Sequence, residues 1–112
     1  MTAQRLCRID EMPARGARGF RFGVGAELRA VLVVRQDDTL YAYVNSCPHL
    51  GTPLDFLPDR FLDRDGRHLL CSTHGARFRV ADGFCIDGPC AGKSLERIAL
   101  RVERGEILMV TP

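Results

Sequence analysis

Apolar residues in this chain come in short runs that alternate with polar ones at period two and are cut repeatedly by turn-forming residues. That pattern specifies an antiparallel all-β domain and leaves no stretch long enough for a substantial helix. Strands are predicted over 5–9, 20–24, 27–35, 40–45, 60–63, 68–71, 77–81, 84–87, 96–103 and 106–110. Asp37-Asp38, Asp65-Gly66, Asp82-Gly83 and Arg104-Gly105 separate paired runs. Glycine takes a positive φ without strain and aspartate bonds its own backbone, so each dipeptide marks a hairpin. Residues 48–58 and 88–92 read as ordered loops, because proline removes a ladder donor and glycine weakens a strand interior. Residues 11–19 read as a surface connection.

A chain of 112 residues is expected to form one domain, 1–112, with a core of its own. Sixteen basic and 14 acidic residues leave a formal charge of +2, and the basic residues are scattered singly, which gives no footprint for nucleic acid. The longest apolar run, 30–34, is far short of a membrane span, and a cytoplasmic location is expected. Five cysteines are an odd number in a chain with no export signal, so metal binding is a better first reading than a complete disulfide framework.

Two loops each offer one cysteine and one histidine: Cys47-Pro48-His49-Leu50-Gly51, and Cys71-Ser72-Thr73-His74-Gly75, with 21 residues between His49 and Cys71. Each pair follows a strand-like run, so hairpins can bring both loop tips to one edge of the fold. Two thiolates and two neutral imidazoles would then surround a common metal centre.

The order C-x-H then C-x2-H, with glycine directly after His74 and one residue after His49, with Phe78 downstream and a later Gly88-Pro89 loop, resembles the Rieske family over nearly the whole chain. The resemblance implies a small antiparallel sandwich or barrel with a cluster-binding subdomain at about 45–87. It also implies one [2Fe-2S] cluster, with Cys47 and Cys71 on the inner iron and His49 and His74 on the outer iron. Leu50, Gly51, Gly75, Phe78 and Pro89 would form the shell around it. Exchanging two thiolates for two neutral imidazoles removes two negative charges, which raises the reduction potential. The imidazole N–H groups of the outer iron would face solvent or a partner.

Departures from the respiratory branch of the family are specific. Thr52 and Thr73 stand at its disulfide-forming cysteine positions, so that bridge is absent, while Ala76 and Phe78 replace a serine and a tyrosine whose hydroxyls donate towards sulfur. Fewer donors place the expected potential in the lower part of the roughly −150 to +300 mV range. The segment between the two ligand pairs is longer than in ferredoxin-type members, with the excess expected in 55–65, which reads as a solvated loop, and Cys90 follows Pro89 where a second proline is common.

Rival readings of the same residues are a mononuclear Cys2His2 zinc site, or ordinary core thiols and surface histidines. Zinc sites commonly pair like ligands, whereas each loop here mixes sulfur with nitrogen. His68 reads as a surface strand residue, Cys7, Cys85 and Cys90 as small buried hydrophobes, and Leu54 as core; a Cys85–Cys90 bridge has no support from sequence. Oxygen activation would need a 2-His-1-carboxylate iron site, for which only His68 remains after four ligands. The function expected from the resemblance is therefore not catalysis but electron relay: a ferredoxin between a flavin-dependent reductase and a terminal, aromatic-ring oxygenase. A small accessory subunit similar to that of nitrite reductase, or a zinc-stabilised binding module, are the alternatives.

Overall fold

The computed structural model describes residues 2–13, 15–22, 29–36, 38–48, 53–55, 60–71 and 75–111. Among them lie three antiparallel three-stranded sheets. The first runs β1 (Thr2–Arg8), β9 (Glu106–Thr111), β8 (Ala99–Glu103); the second β2 (Arg15–Phe22), β3 (Arg29–Gln36), β4 (Thr39–Val44); the third β5 (His68–Leu70), β6 (Arg77–Arg79), β7 (Cys85–Asp87). Hydrogen bonds from Val44 N–H to the Glu96 carbonyl and from Ile98 N–H to the Ala42 carbonyl, both 2.9 Å, tie β4 to the segment entering β8. Among the described residues no helix is long and apolar enough to cross a membrane.

The organising element is β3. Its Val31, Leu32, Val33 and Val34 are all buried, because the strand is covered on both faces and successive side chains point to opposite sides. Val31 and Val33 join Leu6, Cys7, Met12, Ala42, Ile107 and Met109 in one core. Leu32 and Val34 join Tyr43, Leu54, Phe61, Leu69, Phe78 and four cysteines in the other. The single core expected of this length is thus split in two by β3, and the second half is where the third sheet packs.

Tyr43 fastens the third sheet to β4. Its side chain is fully buried and its hydroxyl donates to the Val80 carbonyl beyond β6, while a Cβ on Gly83 (φ +73°) would lie 2.8 Å from its ring. Burial pushes its phenol from 10.0 up to about 12. Because the folded state holds this proton more tightly than the unfolded chain, the protein is expected to lose stability as pH rises from 10 towards about 12. Tyr43→Phe should cost about 1 kcal/mol at neutral pH through the lost bond, and should lose less on going to about pH 11. Urea unfolding at the two pH values checks both effects.

Two strand expectations change. Residues 15–19, read as a connection, are the first half of β2, which pairs with β3 from Arg15↔Gln36 to Phe22↔Arg29. Its glycines and arginines hide the alternation, and as an edge strand it needs backbone pairing more than apolar side chains. Residues 60–63 form not a strand but the single bridge Leu62↔Leu69, and Phe61 there is fully buried. The described part of 55–65 is therefore not a plain solvated loop; residues 56–59 lie outside the described residues. In β1 a bulge sits between Arg5 and Cys7, which lets the consecutive Leu6 and Cys7 both face the core. The hairpin at Arg104-Gly105 has both residues at positive φ, 53° and 77°, the geometry that matches strand twist.

Candidate metal centre

Three connections meet at the second core. The first leaves β4 and carries Cys47, the second joins β5 to β6 and starts at Cys71, and the third follows β7 and carries Pro89 and Cys90.

The first is clamped by Asn45, the buried polar side chain of the core. Its Oδ1 accepts the Leu54 N–H at 2.8 Å and its Nδ2 donates to Asp55 Oδ1 at 2.9 Å, so one amide joins the loop's entry to its exit. Cys47 sits inside this clamp, 1% exposed. Asparagine at the end of a strand-like run carries no sequence signal for this role beyond its type. Asn45→Ala would leave the Leu54 N–H buried and unpaired at about 1–3 kcal/mol. We expect a melting temperature lower by on the order of 10 °C, read by thermal circular dichroism.

In the second connection, Cys71 N–H donates to the Ala76 carbonyl and Gly75 N–H to the Cys71 carbonyl, each at 2.8 Å. The ends of the loop are thereby closed on one another, and the turn requires Gly75 at φ +75°. Cys71, Ala76 and Phe78 are fully buried, and Phe78 faces the equally buried Leu69 across β5–β6. Burying such a ring contributes about 1.5–3 kcal/mol and keeps water from the thiols beside it. His49, Leu50, Gly51, Thr52, Thr73 and His74 lie outside the described residues.

The third connection packs on the second. A Cβ on Gly88, at φ +100°, would stand 2.7 Å from the Ala76 Cα, so only glycine lets the two backbones approach this closely. Pro89 is exposed and Cys90 buried. Cys90 Sγ donates to Cys85 Sγ at 3.2 Å, and Cys85 Sγ donates to the Asp87 carbonyl at 3.2 Å. Burial first, then Cys85 and a side-chain hydrogen bond with Cys47, hold the Cys90 thiol protonated well above the usual range. No two of the five cysteines are bridged. Cys7 lies in the other core, and His68 is held at the surface by Asp63, with Nδ1 to Oδ2 at 3.4 Å. Burial raises the Asp63 carboxyl, but hydrogen bonds from the His68 and Arg67 backbone outweigh it and leave the group below its ordinary value.

Among the described residues no three His, Cys, Asp or Glu side chains are arranged to hold a metal ion by themselves. Cys90 and Cys85 are hydrogen-bonded to each other. What the described part offers is a soft donor set: two buried thiols in one apolar cluster, each at the base of a loop with a histidine two or three residues on. This fits an iron–sulfur cluster, which takes thiolates and needs a dry surround.

The family of Rieske [2Fe-2S] domains matches residues 2–104, and the chain belongs to that family. Its group is a [2Fe-2S] cluster. No curated protein matches the chain. Among solved structures, the ferredoxin of carbazole 1,9a-dioxygenase from Nocardioides aromaticivorans IC177 superposes with a TM-score of 0.74 at 24% identity, covering 100% of both chains. A chain in the complex of reduced oxygenase and oxidized ferredoxin in carbazole 1,9a-dioxygenase gives 0.75 at 24% identity, over 96% of this chain and 91% of that one. The terminal oxygenase of carbazole 1,9a-dioxygenase from Novosphingobium sp. KA1 gives 0.72 at 19% identity, over 96% of this chain but only 29% of its own. The shared fold is the Rieske one, and it is the all-β architecture expected from the period-two pattern.

Proposed function

We propose that this chain is a one-electron carrier, a ferredoxin that accepts electrons from a flavin-dependent reductase and delivers them to a terminal oxygenase of aromatic or related compounds. Cys47, His49, Cys71 and His74 hold the cluster in this reading, and the cluster-binding part spans about 45–87. The observation that carries it is the burial of Cys47 and Cys71 in one apolar cluster, at the bases of two loops that each hold a histidine. End-to-end superposition on a ferredoxin supports it.

When bound, the cluster supplies one-electron chemistry at a potential raised by its two neutral imidazole ligands. The chain's own contribution is to exclude water and fix the sulfurs. Phe78, Leu54 and Leu69 share the buried cluster with the thiols, Asn45 and Gly75 fix the loop ends, and Gly88 packs against Ala76. With Ala76 and Phe78 in place of hydroxyl donors, the potential falls in the lower part of the roughly −150 to +300 mV range. A cytoplasmic location agrees with five unbridged cysteines.

Stopped-flow mixing tests the relay. A flavin-dependent reductase with its nicotinamide donor should bleach the oxidised protein, and a terminal Rieske oxygenase with its aromatic substrate should restore the colour. Bleaching without reoxidation by any such oxygenase, together with co-purification as a subunit of a larger reductase, would contradict the ferredoxin role.

A further inference from the structure

Cys85 opens β7 and Cys90 lies in the connection that follows it, and both side chains are buried. Residues 86–89 between them and 91–94 beyond them are exposed, so the two sulfurs anchor an otherwise exposed segment. They meet directly, with the Cys90 S–H donating to Cys85 Sγ at 3.2 Å and the Cys85 S–H donating to the Asp87 carbonyl at 3.2 Å. A disulfide holds its sulfurs at about 2.05 Å, and small rotations about the two Cα–Cβ bonds close a gap of this size. Backbone bonds already keep the segment in the shape a bridge needs. Cys85 N–H bonds the Lys93 carbonyl at 2.8 Å, Gly92 N–H the Cys85 carbonyl at 3.1 Å, and Lys93 N–H the Cys90 carbonyl at 2.9 Å.

We propose that Cys85 and Cys90 are a reversible dithiol–disulfide couple, a modification site whose oxidant is hydrogen peroxide. The peroxide O–O bond breaks, both S–H bonds are lost, one S–S bond forms and two waters leave. The sulfurs give up two electrons and the peroxide takes the same two. A low-molecular-weight thiol reverses the step by exchange, two of its molecules leaving as their own disulfide. Local opening of the exposed segment admits so small an oxidant, and the second sulfur, already in contact, closes the bridge ahead of further oxidation. Bridging fastens the segment whose Gly88 packs against Ala76 at the end of the second connection. The pair lies on β7 and the third connection, apart from the two loops of the cluster reading, and does not depend on that reading.

The test treats the cluster-loaded wild type and C90S with a slight molar excess of hydrogen peroxide, blocks the remaining thiols in denaturant and maps the peptides by mass spectrometry. The wild type should yield a linked Cys85–Cys90 peptide, lighter by two hydrogens, that dithiothreitol abolishes; C90S should yield none. In the bridged protein, hydrogen–deuterium exchange at the Cys85, Gly92 and Lys93 amides should slow about tenfold, because the bridge limits opening of the segment they hold. All five thiols still blockable after peroxide would overturn the proposal. So would sulfinic acid at Cys85 or Cys90 in place of the bridge, a bridge from Cys90 to Cys47, or unchanged exchange in the bridged form. The linked peptide is read on the wild type, so a C90S that fails to fold leaves the test standing. A sample already colourless before peroxide would instead sink the electron-carrier reading, and a mapped Cys85–Cys90 bridge would still support the couple.

Discussion

Replacing Cys47 or Cys71 with alanine should strip the protein of iron and acid-labile sulfide together, leaving it colourless. Each thiol is almost fully buried, at 1% and 0% exposure, in the same apolar cluster. No other described thiol is placed to take over, since Cys85 and Cys90 are engaged with each other and Cys7 lies in the other core. Losing one thiolate leaves an iron short of a ligand in a site closed to water. The expected content falls from about two irons and two sulfides per chain to near zero in both variants. Cys7→Ala, in the core beyond β3, should keep both at the wild-type level. Metal analysis and sulfide assay read the outcome, and retention of iron in C47A or C71A would contradict the assignment.

The second large effect concerns the potential. Placing a cysteine at residue 49 or 74 restores a negative ligand where a neutral imidazole is proposed, so the added electron meets more negative charge. If a cluster still assembles, H49C or H74C should move the potential downward by on the order of 100 mV or more, towards the roughly −400 mV of all-cysteine plant-type ferredoxins. Protein-film voltammetry reads the shift. A rise in either variant would contradict histidine ligation.

Much of this was legible from spacing. Short apolar runs bounded by turn residues mark β3, β4 and β9, and the Gly-bearing dipeptides mark hairpins that the structure forms. The two Cys-to-His intervals pick out thiols that the fold buries in one cluster. What escaped has physical causes. β2 is paired through its backbone, so an Arg- and Gly-rich edge strand shows no apolar signature. The burial of all four residues Val31 to Val34 depends on a second layer packing against β3, which a local pattern cannot report. Asn45 acts through a residue nine positions later, and Cys90 bonds the Cys85 sulfur on β7, so neither contact leaves a periodic trace. The ligand role of His49 and His74 rests on sequence alone, since neither lies among the described residues.

Pulsed EPR of the dithionite-reduced protein, grown with and without 15N-histidine, addresses the ligand set most directly. The account predicts a reduced [2Fe-2S] signal with two histidine nitrogens coupled to one iron, both changing with the label. A signal without histidine nitrogen coupling, or a colourless and EPR-silent protein carrying zinc, would contradict it.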